Sequence, residues 1–171
     1  MEAIQNMCFV GTCLFLVYCI VSLSIFGVPT SLSKTFYLYN CLIKNLGWIF
    51  PIMLACVVFL IIPYWLEITP ESYQFLGFIS CFGLLMVFTS PEFEDEQHKT
   101  IHFVGAAISA VTAITWCMLQ GQWLIILFMF AWFFLMAIIT RTLKKCYLFW
   151  IELVAFESLF ISLITNFFIL K

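Results

Sequence analysis

The sequence predicts an all-α polytopic integral membrane protein, a six-transmembrane-helix bundle, and three observations predict it. Six apolar stretches of about twenty residues, each long enough to cross a hydrocarbon core roughly 30 Å thick, account for most of the 171 residues. Short polar breaks between them hold nearly every charge. The composition, 65% hydrophobic and 9% charged, lies far from the roughly 45–50% and 25% of soluble domains, so no water-facing surface can be built from it. No segment outside the spans is long enough for a separate core. A single transmembrane domain over residues 1–171 is expected.

The first span runs over 7–26 and stops at Gly27 and Pro29. Met1 to Asn6 lacks the basic region of a cleavable signal peptide, so this span is expected to be retained. The second covers 48–65, with Pro51 tolerated in its opening turn and Pro63 kinking its exit. Thr69, Pro70 and Glu71 read as an N-cap, a first-turn proline and a dipole-compensating acid that start the third span, 70–89. Ser90, Pro91 and Glu92 repeat that punctuation, so the fourth helix is expected to begin at Pro91, outside the lipid, and to cross over 100–119. The fifth span, 123–140, has no strongly polar residue between Leu124 and Ile139, and the sixth runs over 146–168. Between the first two spans, residues 33–46 are too polar to cross and too apolar for a solvated loop. Phe36, Tyr39, Ile43 and Leu46 recur at helical spacing there, which suits an interfacial helix lying on the membrane, with a connector anchored by its aromatic residues as the alternative.

Lysine and arginine in the connections set the orientation. Lys34, Lys44, Lys99, Arg141, Lys144 and Lys145 all fall on one side, and the other side offers only Lys171. Both termini are therefore expected outside the cytoplasm, in a cytoplasmic (inner) membrane. The net charge of −2 and the absence of a basic stripe disfavour nucleic acid as a partner. Membrane lipids, a second copy of the chain or another membrane protein remain as partners. Of the eight cysteines, Cys8, Cys13, Cys19, Cys56, Cys81 and Cys117 lie within apolar spans and read as small hydrophobic residues rather than as a disulfide framework.

Oil supplies no hydrophobic drive for helices to associate, so small and polar residues indicate which faces meet. Gly105, Ala106, Ser109, Ala110 and Ala113 make the fourth span the expected central helix, packed against the third through Gly77, Ser80, Cys81 and Gly83. The phenylalanine-rich fifth span is expected to face lipid.

Glu152 and Glu157 are the costliest residues, since a carboxylate within a span must be protonated, paired or hydrated. Five positions apart, they point about 140° from one another. Glu157, with Ser158, Ser162 and Thr165 beside it, is the stronger candidate for a polar crevice, to which His102 and Ser109 could add from the fourth span. The alternative reading of these residues is helix packing. His98 and His102, four positions apart, share a helix face with Glu94 and Asp95 within reach. That is half of a zinc site, which for catalysis needs three protein ligands and an open position; a surface ion pair is the alternative. No other cofactor is implied, and no GxSxG, Walker, dinucleotide or HExxH motif occurs. Ser31, Ser33, Lys34 and Thr35, followed by Phe36 and Tyr37, read as a capping cluster or a headgroup-binding site at the interface.

In the Val28 to Tyr37 run, in the Thr69-Pro70-Glu71 turn and in the pattern of His102, Ala106 and Ser109, the chain resembles a group of uncharacterised small six-span bacterial and phage-associated membrane proteins. The likeness extends nearly end to end and implies the six-span fold. A more distant similarity is to the ceramidase-like membrane hydrolases, whose zinc site draws several histidines, an aspartate and a serine from separate helices. His98 and His102 are the matching positions, and the chain has no other histidine. Three functions follow as expectations. The first is a non-enzymatic protein with a small intramembrane polar crevice for an ion, lipid or small solute. The second is a metal-dependent intramembrane hydrolase acting on a lipid, and the third is a structural protein whose outer faces bind a partner span.

Overall fold

A computed structural model describes residues 2–169, and Met1, Leu170 and Lys171 lie outside the described residues. The described residues form seven α-helices: α1 (Glu2–Phe26), α2 (Thr35–Leu42), α3 (Ile49–Glu67), α4 (Phe75–Thr89), α5 (Glu96–Leu119), α6 (Trp123–Ile139) and α7 (Tyr147–Ile169). Single 3₁₀ turns, Leu46–Trp48 and Glu71–Tyr73, precede α3 and α4. The basic connections collect at one end of the bundle, where Lys34 pairs with Glu94, Thr30 accepts the N–H of Phe149 and Cys146 meets Val28. The outer surface is apolar, with Phe59 71%, Phe82 61% and Leu124 63% exposed. Water would not tolerate that coat. By length and composition, five helical segments can cross a membrane, Glu2–Phe26, Leu46–Glu67, Glu71–Thr89, His98–Leu119 and Tyr147–Phe167. The apolar helix Trp123–Ile139 is 17 residues long.

Three expectations about helix ends change, two of them because a capping group bonds elsewhere. Thr69 does not cap α4. Its hydroxyl donates to the Trp65 carbonyl (2.5 Å) and accepts from Trp116 Nε1 (2.8 Å). Gln74 holds the turn instead, donating to the carbonyls of Leu66 and Thr69 (3.0 and 3.1 Å). Ser90 to Asp95 are not the first turn of α5, which begins at Glu96; the Ser90 hydroxyl donates back to Met86 (2.5 Å), extending the end of α4. At the other end α1 starts at Glu2, well before Met7.

The segment expected as an interfacial helix over 33–46 is helical only over Thr35–Leu42, and its aromatic face is tucked inward. Phe36 is 2% and Tyr39 5% exposed. Tyr39 reaches the Ser22 hydroxyl of α1 (3.0 Å). Extended backbone at Ile43 and left-handed Asn45 end this helix, and Asn40 accepts from the N–H of Gly47 (2.8 Å) to close the turn into α3.

The most extensive helix pairs are α4 with α5, α1 with α3, and α6 with α7. In the most apolar 18-residue stretch of each, 44% of the residues are buried in Leu46–Glu67 and in Tyr147–Phe167, and 33% in His98–Leu119. The fourth span, α5, packs most extensively along α4 and also meets α7 and α6. Only Met129 and Ala137 are buried on α6.

Candidate functional site

After α1, left-handed Gly27 returns its N–H to Leu23 (2.9 Å) and the chain leaves the helix. From Val28 to Tyr37 it runs across the basic end of the bundle, and its polar groups bond to four different elements. Thr30 accepts the N–H of Phe149 at the start of α7 (3.2 Å), and Cys146 Sγ meets the Val28 carbonyl (3.4 Å). Ser31 Oγ accepts from the N–H of Lys34 (3.1 Å), a local cap of the kind its residue type favours. Thr35 donates to the Leu32 carbonyl (2.6 Å) and accepts from the Tyr18 phenol of α1 (2.5 Å).

On the outer side, Lys34 pairs with Glu94 and lies over the Tyr37 ring, 4.9 Å from its centroid. Tyr37 Oη accepts the N–H of Glu94 (2.9 Å). Loss of water around it pushes the Tyr37 phenol above its ordinary pKa, so it stays neutral as an acceptor.

On the inner side stand the residues of chemical interest. The N–H of Leu32 donates to Glu152 Oε2 (2.5 Å), which joins this segment to α7 across 120 positions of sequence. Next to it, Ser33 Oγ lies 2.9 Å from His102 Nε2. His102 Nδ1 lies 2.8 Å from the Ser90 carbonyl oxygen. A carbonyl can only accept, so Nδ1 carries the proton. In the neutral ring Nε2 is then the acceptor of the Ser33 hydroxyl proton. Phe93 covers the imidazole, its ring centroid 4.8 Å away, and both Ser33 and His102 are buried.

Below this pair is a cavity of about 60 Å³, room for roughly four water molecules. Ser33, Ser109 and Glu152 are the polar residues on its wall, and Ala106, Ala110 and Ala113 of α5 leave the space open. The remainder of the wall is apolar and comes from Leu32, α3, α4 and α7. Ser109 is fixed by Ser80 of α4, whose Oγ lies 3.0 Å from its carbonyl oxygen and 3.1 Å from its hydroxyl. A second cavity of about 240 Å³ lies at the opposite end among Gln5, Asn6 and Tyr64, and among the described residues no carboxylate or imidazole lines it.

The sequence-predicted residues therefore divide. Glu152, Ser33 and Ser109 meet at the cavity, and His102 reaches it through Ser33. Glu157 is half-buried elsewhere on α7 and makes no hydrogen bond or ion pair among the described residues. Ser158 and Ser162 are buried in the core, away from the cavity, and neither hydroxyl has an oxygen or nitrogen partner among the described residues. His98 stays half-exposed, 4.0 Å from Asp95, while both nitrogens of His102 are engaged inward. Among the described residues no three histidine, cysteine, aspartate or glutamate side chains gather into a metal-ligand group. The Ser33 to His102 contact was missed by sequence reasoning. Its one signal was a histidine within an apolar span at the membrane side where a hydroxyl-rich run also lies.

Fold and site together define a helical bundle of membrane type with a small acid-bearing cavity at its basic end. Comparison with protein-family models, with curated proteins and with solved structures finds no match for this chain.

Proposed function

We propose that the chain is a six-span protein of the cytoplasmic membrane, with both termini outside the cytoplasm, whose cavity holds a small cationic or hydrogen-bond-donating solute against Glu152. Support for a sixth span comes from α6, which rises about 26 Å at 1.5 Å per residue and is apolar throughout. Support for the orientation comes from the basic connections, all at the end that carries Lys34 and Lys145.

One observation carries the functional reading: Glu152, Ser33 and Ser109 share the wall of a space that is otherwise apolar. A carboxylate in that setting is stabilised by a cation or a donor, and by little else within reach. The volume admits an ammonium-sized group and not a lipid tail.

The test is the unfolding temperature of the purified protein in detergent, titrated with methylammonium and with tetraethylammonium at constant ionic strength. A ligand that binds only the folded state raises it saturably. Methylammonium is expected to do so, tetraethylammonium is too large to, and Glu152→Gln abolishes the rise. An equal rise in the variant, or none in the wild type, overturns the reading.

A further inference from the structure

The Ser33 to His102 pair has a property that holding a solute does not require. A serine hydroxyl is a weak nucleophile until a base takes its proton, and the base works best when a third group fixes its tautomer and direction. All three parts are present. Ser33 Oγ is 2.9 Å from His102 Nε2, and the Ser90 carbonyl, 2.8 Å from Nδ1, commits the second nitrogen to donating. Ser33 borders the cavity and His102 does not, so the serine stands between its base and an open space.

The wall chemistry selects the substrate class. Among the described residues no lysine, arginine or histidine lines the cavity, and the one titratable residue on its wall is Glu152. A phosphoryl group or other anion would find no counter-charge and would face a carboxylate. A carboxylic ester that is neutral, or that carries an ammonium group, suits the same space. The alanines and the volume limit its acyl group to a short one.

We propose that Ser33 is a nucleophile activated by His102, and that the protein cleaves short-chain neutral or cationic carboxylic esters through an acyl-serine intermediate. The Ser33 oxygen bonds to the ester carbonyl carbon while its proton passes to His102 Nε2. The bond from that carbon to the leaving oxygen breaks, and the proton on Nε2 goes to the departing alcohol. Water then adds to the acyl carbon, gives its proton to Nε2, and the carboxylic acid leaves as Ser33 takes the proton back. No oxidant or second cofactor enters the balance. Ser90 is a positioning residue.

This inference rests on the cavity being a ligand site. Full-length protein in detergent is treated with dimethyl fluorophosphate, an untagged serine-reactive probe that carries only methyl groups, and the modified peptide is mapped by mass spectrometry. Labelling at Ser33 is expected, and it needs no variant to be read. His102→Gln, whose amide can keep hydrogen bonds to Ser33 and Ser90, is expected to slow labelling about 100-fold, the low end of general-base contributions. Ser24→Ala, on the lipid-facing side of α1, leaves it unchanged. Wild-type protein that unfolds cooperatively yet shows no adduct at Ser33 overturns the proposal, as does an unchanged rate in His102→Gln. If methylammonium still stabilises the protein in that case, the cavity reading stands and only the esterase reading falls. If neither is seen, both fall.

Discussion

Gly83 and Gly105 face one another with no room for a side chain on either. A Cβ built on Gly83 stands 2.5 Å from the Gly105 carbonyl oxygen, and one built on Gly105 stands 2.6 Å from the carbonyl oxygen of Gly83. In oil, this closeness is what holds two helices together, because dispersion contacts and interhelical hydrogen bonds replace the missing hydrophobic drive. One turn along, it also lets Ser80 reach Ser109. Since backbone and not a flexible side chain blocks the space, Gly105→Ala should separate α4 from α5 and cost roughly 1–3 kcal/mol. Thermal unfolding in detergent reads the loss. Ala107→Leu on the exposed face of the same helix should be neutral, and an equal cost at both positions would show that crowding is not the cause.

At the other end of the bundle, Trp116, Thr69 and the Trp65 carbonyl form a buried chain of hydrogen bonds. Thr69→Val keeps the shape and removes the oxygen, leaving a buried indole N–H without an acceptor. The expected cost is about 1–3 kcal/mol. Trp116→Phe also loses the bond, but leaves no orphaned donor. The double variant should then lose less than the sum of the two singles, and strict additivity in the cycle would mean that the two residues are not coupled.

These two contacts also mark where sequence reading stops. Apolar runs and their breaks, as at Gly27 and Pro29, placed the helices, and the spacing of Gly105 and Ser109 marked the close face of α5, because both depend on neighbours along the chain. The start of α4 was not legible, since Thr69 has the right side chain for a cap and bonds instead to a tryptophan 47 positions away. Nor was the choice between Glu152 and Glu157. Helix α7 is apolar on most sides, so its composition does not fix its rotation. The Leu32 N–H does, from 120 positions upstream, together with the packing of Phe156 and Phe160 on Phe15.

The two glutamates should consequently respond in opposite directions. Glu157 has no hydrogen-bond or ion-pair partner among the described residues, so Glu157→Leu removes a half-buried polar group and should raise the unfolding free energy, by about 1 kcal/mol or more. Glu152→Leu leaves the Leu32 N–H without its acceptor and should lower it by about 1–3 kcal/mol. Parallel thermal melts in one detergent make the comparison. Destabilisation by Glu157→Leu would mean that this carboxylate has a partner in the membrane.

Orientation can be read from two cysteines that are both exposed yet differ in surroundings. Cys41 ends α2 at the basic end of the bundle, near Lys44, whereas Cys56 lies midway along α3 beside outward-facing Phe59. A charged, membrane-impermeant maleimide needs water to reach a thiol. In inverted vesicles it should modify Cys41, and in right-side-out vesicles it should not, with Cys41→Ala removing the signal. Cys56 should stay unmodified in both until detergent denatures the protein, because hydrocarbon surrounds it. Modification of Cys41 from the outside would reverse the proposed orientation. Modification of Cys56 in sealed vesicles would show water along α3 and remove the membrane placement of that helix.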